Sequence, residues 1–144
     1  MNISKFTQKS VQAVQDLEKI AYEYGNQEIE EEHLLYALLT QEDSLILKLI
    51  EKMEIQKEYF VDTVKKALDA RVKVSGGELR FGQYLNKALV SAEDEAKAMG
   101  DEYVSVEHLF LSMLKNPSPS MKKLFNEFGI TRERFLQALS TVRG

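Results

Sequence analysis

The stretch Glu32-His33-Leu34-Leu35 recurs as Glu107-His108-Leu109-Phe110, and the same offset of 75 residues holds without a gap from Phe6–Asp69 to Phe81–Gly144. Phe6/Phe81, Ala13/Ala88, Ala21/Ala96, Gly25/Gly100, Leu39/Leu114, Leu49/Leu124, Ile55/Ile130 and Phe60/Phe135 are identical pairs. Fifteen of the 64 pairs are identical, and others keep only apolar character, such as Val14/Leu89, Ile29/Val104 and Val64/Leu139. A match of this length without an insertion means one structural unit written twice. Four short helices alone bury little surface, so two such units are expected to pack as a pseudo-twofold pair around one core.

The chain has the size of one ordinary domain at 144 residues, and 44% hydrophobic with 29% charged residues suits a globular protein. No apolar run approaches the roughly 20 residues that span a bilayer, so no membrane partner is expected. The start lacks a basic stretch followed by an apolar core, so no secretion signal is expected. Cysteine is absent, which removes thiolate chemistry and fits a cytoplasmic location. Residues 1–72 carry 9 Lys/Arg against 14 Asp/Glu and residues 73–144 carry 10 against 9, so neither half offers a cationic surface for nucleic acid.

Helical periodicity runs through both units. Thr7 is a good N-cap for a helix carrying Val11, Val14, Leu17 and Ala21, and Gly25 ends it. Helices follow from near Glu31 (Leu34, Leu35, Leu38, Leu39), from Asp43 or Ser44 (Leu45, Leu49, Ile50, Met53), and from about Gln56 to Arg71 (Phe60, Val64, Leu68). Residues 72–80 break the pattern, and Gly76-Gly77 marks them as a mobile joint. The second unit repeats the scheme, with caps at Ser105, Ser118 and Thr131 and a stop at Gly129. The expected fold is all-α, with eight helices as two four-helix repeats (1–71 and 81–144, linker 72–80) and no convincing strand. A groove between the repeats is the expected binding surface.

No phosphate-binding loop, dinucleotide fingerprint or nucleophile elbow is present. Two histidines in separate repeats do not make a zinc site, so no metal is expected. Equivalent placement of His33 and His108 points instead to a structural task, such as fixing a helix start by a side-chain hydrogen bond. Glu32 and Glu107 each fall in a first helical turn, where negative charge offsets the helix dipole by about 0.3–1 kcal/mol. They could alternatively form a carboxylate pair that receives cationic groups of a peptide.

The chain resembles the Clp N-terminal domain, the double four-helix repeat that precedes the AAA+ rings of Clp ATPases, most closely its form in ClpB-type disaggregating chaperones. The residues carrying the resemblance are Phe6-Thr7-Gln8-Lys9-Ser10, Gly25-Asn26-Gln27-Glu28-Ile29 before Glu32-His33, Gly100 to Leu109, and the closing Val142-Arg143-Gly144. It implies a non-catalytic domain that binds exposed segments of unfolded or aggregated polypeptides and delivers them to the AAA+ body of a parent hexamer. ATP and Mg would then act elsewhere in the parent, with no cofactor in this fragment. Family positions tied to substrate contact fall on Thr7, Asp101 and Glu107, and Leu89 is the first expected groove-lining residue. Where the family usually repeats the hydroxyl of Thr7, this chain has Gly82, which removes a side-chain cap.

A second reading is an adaptor- or phosphoarginine-docking domain, as in protease-coupled relatives, with Glu32 and Glu107 as cation receivers. A hydrolase or transferase built on Glu/His pairs is the third, and neither a nucleophile nor an oxyanion device supports it. The isolated domain is expected to be a monomer.

Overall fold

The computed structural model describes residues 2–143. Among them helices dominate, in the order α1 (Gln8–Gln15), α2 (Leu17–Glu23), β1 (Glu28–Ile29), α3 (Glu31–Leu39), α4 (Leu45–Lys52), α5 (Lys57–Asp69), β2 (Arg80–Phe81), α6 (Gln83–Ala98), α7 (Val106–Lys115), α8 (Pro119–Glu127) and α9 (Arg132–Arg143). Asp16, between α1 and α2, keeps right-handed helical dihedrals (φ −79°, ψ −11°) and takes part in the helical ladder through Asp16 N–H to Gln12 O and Ile20 N–H to Asp16 O. The two segments are one rod with a local irregularity. Eight rods result, four per repeat, as the periodicity predicts.

Caps set where the rods begin. The Ser10, Leu47, Tyr59, Met121 and Arg134 N–H groups donate to the side chains of Thr7, Ser44, Gln56, Ser118 and Thr131 respectively. Each supplies an acceptor for a first-turn N–H that has no partner inside its helix. Ser44 rather than Asp43 caps α4, and Asp43 takes a left-handed turn before it (φ 56°). The caps Ser44 and Ser118 stand 74 residues apart while Gln56 and Thr131 stand 75 apart, so the repeats slip by one residue at this loop and recover it within α8.

Helices α3 and α7 occupy the middle of the molecule. Nearly every residue of each is buried, including Leu34, Leu35, Leu38, Leu109, Phe110 and Leu111. A helix apolar on all sides belongs in the interior, and the remaining helices wrap this pair. Phe110 stacks on Phe135 at 4.4 Å between ring centres, and Phe60 of the first repeat meets Phe128 of the second edge-on at 4.9 Å. The repeats therefore share one core. Ala13, Leu17, Ile20 and Ala21 form the buried face of the first rod, whereas Val11 and Val14 are only partly covered.

Short strands fasten the two repeats to each other. Glu28-Ile29 pairs in parallel with Arg80-Phe81, and Phe6 forms a parallel bridge with Val104. These are one contact used twice: Phe6 and Phe81 are equivalent positions, and so are Ile29 and Val104. The segment before α1 reaches across to the second repeat, and the segment before α6 reaches back to the first. Two-residue strands carry no periodicity, which is why the sequence pattern shows none. The stretch 72–79 joining the repeats is tied at its start, through Val74 N–H to Gly25 O (2.9 Å) and Asn26 Nδ2–H to Val72 O (3.2 Å).

Candidate functional site

Each central helix starts on a histidine. His33 Nδ1 accepts the Glu30 N–H at 2.9 Å, so Nε2 carries the ring proton and donates to Asn26 Oδ1 at 2.9 Å. His108 does the same with the Ser105 N–H (2.8 Å) and Asp101 Oδ2 (2.8 Å). Asn26 and Asp101 are equivalent positions, so the whole device is duplicated. Burial holds His33 well below its ordinary range, at about 4, with the Arg71 charge acting in the same direction. Both rings have the structural task that their equivalence suggests.

Three consecutive carboxylates at the start of α3 reach into the second repeat. Glu30 Oε1 accepts the Leu85 N–H at 2.9 Å. Glu31 Oε1 accepts the Ser118 N–H at 2.8 Å, and Glu32 Oε2 accepts from Ser120 Oγ at 2.7 Å. Burial pushes Glu31 up to about 8, so it is the neutral acid at pH 7. Burial also raises Glu30, against the lowering effect of the Leu85 N–H. The acidic run that reads as helix-dipole compensation is thus largely an inter-repeat fastening.

A further charged group in each repeat completes the picture. The guanidinium of Arg143, at the end of α9, donates to Asp101 Oδ2 at 2.6 Å and lies 3.4 Å from Glu107 Oε2. Its counterpart Arg71, just after α5, lies 3.3 Å from Glu32 and 3.5 Å from Glu28. Glu32 and Glu107 therefore each receive a cation, and in both cases the cation is the chain's own arginine. The Arg143 contact holds the Asp101 carboxyl below the usual carboxylate range.

Asp101 and Glu107 meet around Arg143, and the Thr7 N–H donates to the O of Val104 (3.0 Å), which lies between those two residues in the chain. Exposed apolar side chains stand beside these residues in the chain: Ile3, Tyr103 and Val142. Leu89 does not belong to this group. It is 1% exposed and part of the core, because α6 turns it toward the interior and leaves the adjacent Val90 outside. A depression of about 390 Å³ lies between the repeats where Lys52–Glu54 face α9, and Thr7, Leu89, Asp101 and Glu107 do not line it.

Among the described residues no cluster of three or more His, Cys, Asp and Glu is placed to hold a metal, and no helix is long and apolar enough to cross a membrane. Sequence reasoning missed Arg71, Arg143, Ser118 and Ser120 as partners of the acidic residues. It also missed the burial of Glu31, although the equivalent residue Val106 is a signal that could have shown it.

Residues 5–141 match the family described as Clp repeat (R) N-terminal domain. The chaperone protein ClpB of Nitratidesulfovibrio vulgaris is 40% identical across the whole of this chain, which spans 17% of that protein's length. The ClpB of Clostridium tetani is 39% identical, with the same coverage. The crystal structure of the Hsp104 N-terminal domain from Candida albicans superposes with a TM-score of 0.83 at 21% identity, covering 98% of this chain and 93% of that one. A complex of the ClpV N-domain with a VipB peptide gives a TM-score of 0.72 at 22% identity, covering 96% and 89%. The double four-helix repeat, its paired Glu-His helix starts and a family match over almost the whole chain lead to one conclusion: this chain belongs to the Clp repeat N-terminal domain family.

Proposed function

We propose that this domain captures exposed segments of unfolded or aggregated polypeptides and delivers them to the ATP-driven ring of a longer parent chaperone. The observation that carries the reading is the full-length similarity to the N-terminal 17% or so of ClpB chaperones. The peptide-bound ClpV N-domain among its structural neighbours agrees with it. The domain makes and breaks no bonds itself, and ATP with Mg belongs to the parent's other parts. The capturing surface we assign centres on Asp101 and Glu107 and takes in Thr7, with Ile3, Tyr103 and Val142 as the exposed apolar residues near them in the chain. It offers apolar contact beside two carboxylates, which suits unfolded segments of mixed composition. A surface this shallow buries little of its ligand, and ordering a flexible segment is costly, so affinity is micromolar or weaker per copy. Six copies on a ring would raise it through effective concentration.

One observation favours a second reading, an adaptor- or phosphoarginine-docking domain. Glu32 and Glu107 already hold guanidinium groups in equivalent surroundings. Calorimetric titration with a reduced, unfolded model protein and with free phosphoarginine separates the two. Polypeptide capture predicts saturable binding of the unfolded protein that D101N and E107Q weaken together. Two equivalent phosphoarginine sites, lost one at a time on E32A and E107A, would establish the second reading instead.

A further inference from the structure

We propose that the hollow where α6, the end of α7 and the start of α9 converge is a binding site for a free aliphatic amino acid, held at both of its charges. The site lies at the far end of α7 from Glu107, and it does not depend on the capture reading.

The hollow has a volume of about 380 Å³ and is lined by Asp94, Glu95 and Ala98 of α6, Leu114 and Lys115 of α7, and Arg132 of α9. Glu95 is only 3% exposed, and a carboxylate taken out of water is costly unless its oxygens are paired. Arg132 Nη2 donates to Glu95 Oε1 at 2.7 Å, while Glu95 Oε2 makes no hydrogen bond among the described residues. The guanidinium has donors to spare as well. Arginine carries five N–H groups, and this bond is the one its side chain makes among the described residues.

The duplication supplies an internal control. Equivalent positions in the first repeat are Ile20 for Glu95, Lys19 for Asp94, Thr40 for Lys115 and Lys57 for Arg132. Ile20 is buried without any charge, so packing of this helix face does not require a carboxylate. Lys57 turns instead to Glu51 at 3.4 Å. The second repeat has set a buried carboxylate beside an arginine whose side chain is 40% exposed. A local feature that costs stability and is missing from the other copy marks function rather than fold.

The chemistry selects the ligand. Glu95 Oε2 can accept from a primary ammonium, whereas a quaternary one has no hydrogen to give it. The unused nitrogens of Arg132 form a planar fork suited to a carboxylate. With Asp94 and Lys115 the lining carries two charges of each sign, which favours a molecule bearing both over a plain anion or cation. Ala98 and Leu114 give the wall on which an aliphatic side chain rests. An α-amino acid meets all of these at once. A residue inside a polypeptide does not, since its amine and carboxyl are spent in peptide bonds. Bound in this way the ligand ties α6 to α9 and completes the pairing of Glu95 without breaking its bond to Arg132.

Leucine is the probe, compared with isocaproate, which lacks the ammonium, and leucinamide, which lacks the carboxylate. Binding to the native chain is followed by amide chemical shifts and by the thermal unfolding midpoint. Leucine should give saturable shifts at Glu95, Ala98, Leu114 and Arg132, with a dissociation constant on the order of a millimolar or tighter. The midpoint should rise with leucine concentration. Each half-analogue should bind about tenfold or more weakly, because one charge-assisted contact is lost. E95I restores the residue of the first repeat and should abolish the leucine shifts while the chain stays folded. R132Q changes the more exposed partner, so it reads the site even if E95I does not fold, and it should weaken leucine about tenfold. Unchanged leucine affinity in R132Q, a half-analogue that binds as tightly as leucine, or no saturable shift at any leucine concentration overturns the proposal.

Discussion

The Glu30 carboxylate accepts the Leu85 N–H at 2.9 Å, and Leu85 holds in α6 the place that Ser10 holds in α1, where the acceptor is the Thr7 hydroxyl. The cap missing at Gly82 is supplied from the other repeat. A Cβ at Gly82 would run into the Glu30 side chain, so the absence of a side chain and the cap in trans are one adaptation.

Serine ordinarily favours an N-cap. Here G82S is expected to destabilise the domain by at least about 1 kcal/mol, because overpacking displaces Glu30. E30A should cost about 1–2 kcal/mol, as the loss of a cap does. In the double variant the serine hydroxyl can take the Leu85 N–H, so the two costs should not add. Urea denaturation of all four chains measures the coupling, and strict additivity would exclude the trans cap.

Glu31 makes stability depend on pH in a defined direction. Its folded value, about 8, lies above its ordinary 4.5, so the stability it contributes is complete below about 4.5 and is lost as pH rises through 8. His33 works oppositely: lowered from 6.5 to about 4, its contribution is complete above about 6.5 and is lost as pH falls through 4. Of these two groups only Glu31 changes its contribution between pH 6.5 and 8, and the expected loss is about 2 kcal/mol. Urea midpoints for the native chain should fall over this window while those of E31Q stay level, since glutamine keeps the acceptor for Ser118 and cannot ionise. A parallel fall in E31Q would contradict the assignment.

Glu54 holds a left-handed backbone (φ 62°) at the position where the second repeat has Gly129 (φ 64°). A side chain there costs about 1 kcal/mol that glycine avoids, although glycine loses more freedom on folding. E54G should therefore raise stability by about 0.5 kcal/mol in thermal or urea unfolding, whereas G129A should lower it.

The duplicated motif made much of this molecule legible in its sequence. Equivalent histidines in equivalent helix starts pointed to a structural task, and both rings perform it. Caps written as Thr7, Ser118 and Thr131 act locally, so the sequence displays them. Leu89 was not legible. Periodicity tells which residues share a helix face but not whether that face meets the core or a groove, and Leu89 and Val90 fall on opposite sides of that divide. Glu31 and Arg143 were hidden for a different reason. Their partners, Ser118 in the other repeat and Asp101 at the far end of the same repeat, lie distant along the chain, and only the folded chain brings them together.

Capture of unfolded polypeptide at the Thr7–Asp101–Glu107 junction is tested most directly by a chemical-shift titration of the domain with a permanently unfolded polypeptide. Saturable shifts should concentrate at Thr7, Asp101, Tyr103 and Glu107, with a dissociation constant in the micromolar range or weaker. Shifts confined to the notch between Lys52–Glu54 and α9, or no saturable shift at any concentration, would contradict it.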